Sequence, residues 1–592
     1  MSWRTYNANL KYKTKYSNWE FTKDLWHFFK THKRRFIFFS VLLIIASTNS
    51  LITPIILAKI VDFFVEGGKS INIFYTYLGI LLCFQIFTTI MRLESKFHLG
   101  IISTKVQKYL RVESINRLIQ GDLIWHEKEN VGNKMQRINE GVSSIQKFMH
   151  FYNNQGLNLI TSLVGIITVF AFFNIKYAFM AILFMFTYLF VEFKFNKKIA
   201  KKTLVLNKLR EKASGKAYEV SSNISTIKSL GIEKLSSKNI NRNEKNVLEA
   251  RINKSKLNNL KWISIQIVAS VFFALFIFIV GKDILTGILT AGVIIIYISY
   301  VNQLRSVLNT ISSELDHLID IKYGICRAMQ IYNLMPDIDE RGATNINNWD
   351  KIKINDLGFQ YKKEPVLNDF NLEITKGEKL GVVGKSGSGK STFFKLFLKL
   401  YLPKKGMIYY DNKPITNIKR DSLLEQISIV PQETEVFNLS LKENITISKK
   451  GKFDKKLYKK AIEASQLSEV ISKLKNKDLS LIGEKGIRLS GGEKQRLGIA
   501  RAIYKDSNII IFDESTSNLD YITEKKIQDA LDKLNKTIII SAHRLSTLER
   551  MDKIIVFDKG KIVEEGCYEE LLHKKGKFYE IWEGQKINKN LR

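Results

Sequence analysis

Proline is scarce in this chain: there are six in 592 residues, and none between Pro54 and Pro336. That gap leaves room for very long uninterrupted helices. Cysteine is scarcer still, at three: Cys83, Cys326 and Cys567, far apart and with no C-x-x-C. The spacing argues against a disulfide framework or a thiolate zinc site. Acidic residues are also short, 57 against 92 Lys+Arg, which leaves a net charge of +35. At 45% hydrophobic and 11% aromatic the chain is too apolar to be a disordered basic tail. Its length calls for more than one domain. The excess positive charge therefore needs a reason, either nucleic acid or a membrane.

Charge is missing altogether from six runs: residues 36–58, 71–91, 155–175, 177–191, 263–280 and 284–304 contain no Asp, Glu, Lys or Arg. About 20 apolar residues cross the hydrocarbon core as a helix. The run at 177–191 is short, and extension to 193 brings it closer to that length. A soluble helical core would show a polar face every 3.6 residues, and these runs do not. The runs pair as hairpins, with short gaps inside each pair. Between pairs lie long stretches rich in helix formers, such as 105–120 and 204–216.

Charge then orients the bundle. The short gaps hold only Lys59, Lys69, Lys176 and Lys282 among the bases, with Asp62, Glu66 and Asp283. The other side carries Lys33, Arg34, Arg35, Arg92, Lys194, Lys197, Lys198, Lys261 and Arg305 close to the spans. The positive-inside rule puts that side in the cytoplasm, with both termini. The first 35 residues are not expected to be a cleavable secretory signal, because the first apolar run is too long and more spans follow.

After Pro336 the texture changes. Residues 337–350 are polar and read as a linker. Beyond them short Ile/Val strands alternate with helical stretches, the mark of an α/β domain. The expected fold is thus an all-α polytopic membrane domain of six transmembrane helices over 1–340, followed by an α/β P-loop nucleotide-binding domain over 341–592. The spans are placed at about 36–58, 71–91, 155–175, 177–193, 263–280 and 284–304. Residues 341–592 keep +14 of the net charge.

Three motifs carry chemistry. Gly384-Lys385-Ser386-Gly387-Ser388-Gly389-Lys390-Ser391 follows a strand and precedes a helix starting near Thr392. This is the strand–loop–helix setting of a phosphate-binding loop. The glycines let backbone N–H groups face phosphates, Lys390 meets the β/γ charge, and Ser391 offers a hydroxyl to Mg²⁺. Ile509-Ile510-Ile511-Phe512-Asp513-Glu514 is a buried strand that delivers two carboxylates. Asp513 suits the Mg²⁺ shell, and Glu514 suits the proton of an attacking water. Taken alone, a strand ending in a solvated acidic turn reads as well. Leu489-Ser490-Gly491-Gly492-Glu493 makes a donor-rich helix start suited to a phosphate. On its own it is equally a helix with a serine cap.

In combination and order these motifs resemble the ATP-binding cassette (ABC) transporters, specifically exporter-type half-transporters, and the resemblance covers nearly the whole chain. It implies ATP and Mg²⁺ as ligands. Tyr361 resembles the aromatic that stacks on adenine. Gln432 resembles the glutamine that touches Mg²⁺ and the attacking water. Ser490, Gly491, Gly492 and Glu493 resemble the signature that meets the nucleotide of a second chain. Ser517-Asn518-Leu519-Asp520 resembles the loop that crosses to that chain, and His543 resembles the switch histidine on the γ-phosphate. Residues 483–486 resemble an exporter-specific segment. Coupling helices are implied near Trp125-His126-Glu127 and Thr226-Ile227-Lys228. Two departures stand out: Glu493 replaces the commoner Gln, and Asn518 the commoner Ala.

The resemblance implies a unit of two chains, with a homodimer preferred because the motif set is complete, and a heterodimer possible. Other expected partners are a lipid bilayer and an amphipathic substrate, with no nucleic acid. The location it implies is a plasma membrane. An importer on the same fold and an ATP-gated regulator are the alternatives. The span amides Asn49, Gln85, Asn158, Gln266, Asn302 and Gln303 either contact cargo or tie helices together. The absence of an extra N-terminal domain argues against a self-trimming peptide exporter; lipid, drug, unprocessed peptide and polysaccharide precursor stay open.

Overall fold

The proline-free stretch folds as the sequence allows. In a computed structural model, helices Ile71–Gln120, Ile175–Ser222 and Glu233–Leu285 run 50, 48 and 53 residues without a break. At ~1.5 Å per residue such helices are about 75 Å long, more than twice a hydrocarbon core of about 30 Å. The structure describes residues 16–68, 70–128, 131–334, 340, 342–361, 364–483, 489–515, 518–541 and 545–590. They form two compact units. One holds the residues up to Gly121 and those from 131 to 334. The other holds Asp122–Lys128 together with residues from 340 onward.

The first unit is entirely helical. Five helical stretches are long and apolar enough to cross a membrane, by length and composition: Asn18–Val65, Ile71–Gln120, Val131–Phe173, Ile175–Ser222 and Glu233–Leu285. Helix Val293–Tyr332 supplies the sixth long segment. Its buried core joins Ile166, Phe170, Tyr188, Phe276, Tyr297 and Tyr300 from four of these elements.

The turns do not fall where the charges are. The sixth run was expected from 284, but helix Glu233–Leu285 continues through Lys282 and Asp283, and the chain turns at 286–292. Asp283 pairs with Lys176 and Tyr177, so its charge is neutralised rather than looped out. Asp62 closes the turn by accepting from Thr290 Oγ1 (2.8 Å) and Gly292 N (2.6 Å). A side chain at 292 would lie 2.3 Å from the Ala58 carbonyl, so only glycine fits. The third and fourth spans part at Asn174, two residues before Lys176, because the Asn174 side chain caps the next helix. The first span is two helices, Lys33–Ser47 and Asn49–Val65, broken at Thr48. Pro54 lies in the second of these and removes one helical donor.

Two charges flanking the spans are also buried. Lys261 Nζ meets Glu192 Oε1 at 3.1 Å and Ser312 Oγ at 2.9 Å, and Ser312 donates to Glu192 at 2.7 Å. Only a fully hydrogen-bonded pair tolerates such burial.

The second unit contains two sheets. Strands β1 (Lys351–Tyr361), β2 (Glu364–Thr375), β4 (Lys405–Tyr410) and β5 (Lys413–Pro414) form an antiparallel sheet in the order β2-β1-β4-β5. The second sheet runs β10-β9-β3-β8-β7-β6, with β3 (Lys379–Gly384), β6 (Ile427–Val430), β7 (Ile509–Asp513), β8 (Thr537–Ser541), β9 (Lys553–Asp558) and β10 (Lys561–Gly566). Its pairings from β9 to β6 are parallel. β7 and β8 are apolar runs rather than alternating ones, as central parallel strands must be when both faces are covered.

The expected linker is not wholly one. Ile346 and Trp349 are buried in the core beside β1, and Ile346 N donates to Ser422 Oγ at 2.8 Å. Two apolar residues three apart were enough to anchor a segment that is otherwise polar. Residues 335–339 lie outside the described residues.

Candidate nucleotide site

Three ends of the parallel sheet converge. β3 runs into the phosphate loop, whose helix is Lys390–Phe397, two residues longer at its start than expected. Gly387 and Gly389 adopt φ of +80° and +112°, a region that side chains avoid. A Cβ at Gly384 would lie 2.5 Å from the Phe557 carbonyl. The loop therefore curls tightly against β9, with Lys385, Ser386 and Gly387 on its exposed rim.

Lys390 is buried at the loop's centre, 6% exposed. Its ammonium donates to the Gly384 carbonyl (2.8 Å) and the Lys385 carbonyl (3.3 Å), and lies 3.6 Å from Glu514 Oε1. The Ser388 hydroxyl is buried without a partner. Ser391 is exposed beside it, and Thr392 is buried and faces Tyr361, with Oη···Oγ1 of 3.4 Å. A buried cation, an orphan hydroxyl and two left-handed glycines fit an anionic phosphate ligand.

β7 and β6 bring the acids and the glutamine. Gln432, two residues past β6, donates to Glu514 Oε2 at 3.1 Å. Glu514, one residue past β7, has φ of +49° and donates its N–H to Ser541 at 3.2 Å. Asp513 pairs with Ser541 in the sheet. Burial, and then the neighbouring Glu514 charge, push the Asp513 carboxyl above its ordinary range. A carboxylate that resists ionisation beside a second one is a natural cation ligand.

Tyr361 ends β1. Its ring stands edge-on to Phe359 (5.0 Å) and Tyr401 (5.7 Å), which hold it upright beside the loop. The signature residues lie elsewhere. Ser490 caps helix Gly491–Lys505, accepting from Glu493 N at 3.3 Å, while Glu493 Oε2 accepts from Ser490 N at 2.7 Å. This reciprocal box is satisfied by Glu or Gln alike, which explains the tolerated departure at 493. A Cβ on Gly492 would lie 2.9 Å from the Asn518 carbonyl, so the aspartate loop packs on the signature. Among the described residues no hydrogen bond joins the signature to the phosphate loop. His543, Ser517 and residues 484–486 lie outside the described residues.

Three contributors, Arg501, Tyr401 and Lys395, were not singled out in the sequence. Arg501 donates to the Asn444 and Glu435 carbonyls, at 2.7 and 2.6 Å, and so ties the segment after Gln432 to the signature helix. Tyr401 donates to Glu127 Oε2 (2.6 Å), and Lys395 to Glu127 Oε1 (2.9 Å). Helix Leu123–Lys128 thereby docks on the helix that leaves the phosphate loop, with Leu123 and Ile124 packed on the same core. A basic residue at 395 facing an acid 268 positions earlier carries no local sequence signal.

This geometry agrees with the comparisons with known proteins. Residues 36–308 match the model for the ABC transporter transmembrane region, and residues 367–517 that for the ABC transporter cassette. The chain belongs to the ABC transporter family. Its membrane region and cassette are fused in one chain, the half-transporter architecture of the exporters. Heavy metal tolerance factor 1 of Caenorhabditis elegans is 30% identical over 502 residues, which cover 81% of this chain and 61% of that protein. The chain thus spans less than two thirds of that relative's length. The ATP-dependent lipid A-core flippase of Vibrio vulnificus (strain CMCP6) is 27% identical over 603 residues, covering 95% of this chain and 97% of the flippase. A solved bacterial Atm1-family ABC exporter with ATP bound superposes with a TM-score of 0.83 over 93% of this chain and 98% of that one, at 23% identity. That likeness shows the fold.

Proposed function

We propose that this ABC half-transporter hydrolyses ATP to move an amphipathic substrate out of the cytoplasm by alternating access, working as a dimer. One observation carries the reading: Lys390 and Gln432, beyond the ends of parallel strands β3 and β6, both lie within 3.6 Å of Glu514 at the end of β7. In that arrangement Lys390 and the loop amides bind the β/γ-phosphates, and Tyr361 offers a ring for adenine. Glu514 accepts the proton of the attacking water, and Gln432 holds Glu514 and that water in line. Ser391, Gln432 and Asp513 form an oxygen-rich set that fits Mg²⁺, which would neutralise charge developing on the phosphates.

The dimer follows from the signature. Gly491 and Gly492 sit against Asn518, which supports the family's arrangement in which a second chain brings its signature to this nucleotide. A complete motif set favours two copies of one chain. The charge pattern supports a plasma-membrane location with both termini and the cassette in the cytoplasm. A lipid flippase among the relatives supports an amphipathic cargo.

The test is the full chain reconstituted alone in liposomes. ATP hydrolysis should appear without any second protein, and a fluorescent phospholipid should move from the cassette-side leaflet only when ATP is supplied. Movement in the opposite direction would make the protein an importer. Hydrolysis with no movement of lipid, drug or peptide would leave a gate rather than a pump.

A further inference from the structure

The helix that leaves the phosphate loop ends on an unusual residue. Lys399, just past the C-cap Leu398, has φ of +51°, a left-handed stop that glycine ordinarily fills. A side chain there strains the backbone. Lys399 is also completely buried, at 0% exposure, which a lysine tolerates only when paired. Its ammonium donates to the Ile418 carbonyl and to Glu340 Oε1, the latter at 3.1 Å. The phosphate site already has its buried cation in Lys390. Lys399 therefore has another task, and its partners point to it.

Glu340 is where the chain, among the described residues, enters the second unit after helix Val293–Tyr332. Its Oε1 also accepts from Arg420 N at 2.8 Å. Beyond Glu340 the entering segment is stitched to residues 417–422. Thr344 N donates to the Asn417 carbonyl and Lys419 N to the Thr344 carbonyl, both at 2.9 Å. Ser422 Oγ donates to the Ile346 carbonyl at 3.0 Å. That stretch leads through helix Arg420–Gln426 into β6, and so to Gln432. Tyr401, two residues after Lys399, is the ring that stands against Tyr361. With a single oxygen, Glu340 thus grips both the helix that presents Lys390 and the segment that presents Gln432. Burying two charges costs about what their attraction returns, so such a pair adds little net stability. What it supplies is a fixed spacing.

We propose that Glu340 is a positioning residue for ATP hydrolysis. Its carboxylate, held between Lys399 and Arg420 N, fixes the phosphate-loop helix against the segment that carries Gln432. It thereby sets how Lys390 and Gln432 meet Glu514. The inference rests on the ATPase reading of this site and adds to it a residue that acts only through others. Hydrolysis then depends on the linker that brings Glu340 in, as well as on the groups around the phosphates.

Kinetics of the purified full chain in liposomes test this by separating kcat from KM. Glu340→Ala leaves Lys399 buried and unpaired, and should lower both the thermal midpoint and kcat. Glu340→Ala with Lys399→Met removes both charges and should restore the midpoint, because replacing both partners spares the desolvation penalty. In that double variant kcat should stay roughly tenfold below wild type, the order of loss that a small misplacement of catalytic groups brings. KM for ATP and the affinity for a fluorescent ATP analogue should stay within about twofold, since Lys390 and the loop amides are untouched. If the single variant does not fold, the double variant carries the test alone. Asp369→Asn, which removes the exposed partner of Lys405, should change neither constant. Wild-type kcat in Glu340→Ala, or recovery of kcat together with the midpoint in the double variant, overturns the proposal and leaves a structural ion pair. A rise in KM at unchanged kcat also overturns it, because the pair would then serve nucleotide binding. Absence of hydrolysis in wild type sinks the ATPase reading itself. Hydrolysis by wild type, matched by the double variant, sinks only the role of Glu340.

Discussion

At the scale of single residues, Glu514 shows what a pattern conveys and what it hides. An acidic pair after four apolar residues suits a base, but only together with the other motifs does it outweigh a solvated acidic turn. Its left-handed backbone was not legible, because nothing in Phe-Asp-Glu-Ser demands φ of +49°. Such a conformation costs about 1–3 kcal/mol and is held by the bonds to Ser541 and Gln432. Glu514→Gln keeps the shape and removes the base. It should bind ATP as wild type does and lose about 10²–10⁴-fold in turnover, read as phosphate release at saturating ATP. Turnover close to wild type would take the proton away from Glu514. Asp513 yields a second test. Its pKa is raised by burial and by Glu514, so the ionised form burdens the fold. The burden is absent below the unfolded pKa and grows as pH rises through the folded value. Asp513→Asn should therefore raise the cassette's thermal midpoint at pH 7.5 by a few degrees while impairing Mg²⁺-dependent hydrolysis. A lower midpoint at that pH would show that Asp513 is a structural acid.

Elements were read well in their interiors and poorly at their edges. The apolar runs located the long helices, since periodicity and length are local properties. The turn at 286–292 was misplaced because a tertiary partner overrode the charge signal, whereas the break at Asn174 is set by that residue's own local cap. Asp283 could stay helical because Lys176 and Tyr177, more than a hundred residues earlier, neutralise it. The polar composition of 337–350 reads as a linker because it outweighs Ile346 and Trp349. The helix Leu123–Lys128 was placed by resemblance, but its anchor was invisible. Burial raises the Glu127 carboxyl, yet hydrogen bonds from Tyr401 and Lys395 outweigh it and hold the group below its ordinary value. The docking is then complete above the unfolded value near 4.5 and is lost as pH falls through the lower folded value. Glu127→Ala should leave ATP binding intact but weaken docking by about 1–2 kcal/mol, with the two contacts half-exposed and screened. Because that helix touches both the loop's own helix and the tyrosine that braces Tyr361, the expected signature is uncoupling: basal hydrolysis persists while substrate stimulation falls. Full stimulation in Glu127→Ala would show that the contact transmits nothing.

On the scale of the whole molecule, the +35 becomes a statement about sides. Four basic residues fall in the short gaps between paired runs, and two of those gaps now have detailed structure. Lys176 is committed to Asp283, whereas Lys282 is exposed in the last turn of its helix. The arrangement predicts opposite chemistry at two exposed positions. Glu66→Cys, just past helix Asn49–Val65, should react with a membrane-impermeant maleimide added to intact cells. Lys197→Cys, on the basic continuation of helix Ile175–Ser222, should react only after permeabilisation. Both substitutions belong in a background with Cys83, Cys326 and Cys567 replaced by serine, since Cys83 is exposed on a span and the other two are partly so. The reverse labelling pattern would place the cassette outside the cell, where there is no ATP to bind, and would undo the transport reading at its root. The excess of +14 on the cassette is not used by the phosphate site, where Lys390 alone is buried. Spread over the cassette's exposed surface, it fits attraction to anionic headgroups, worth about 1 kcal/mol per base close to the bilayer and screened beyond about 8 Å at physiological salt.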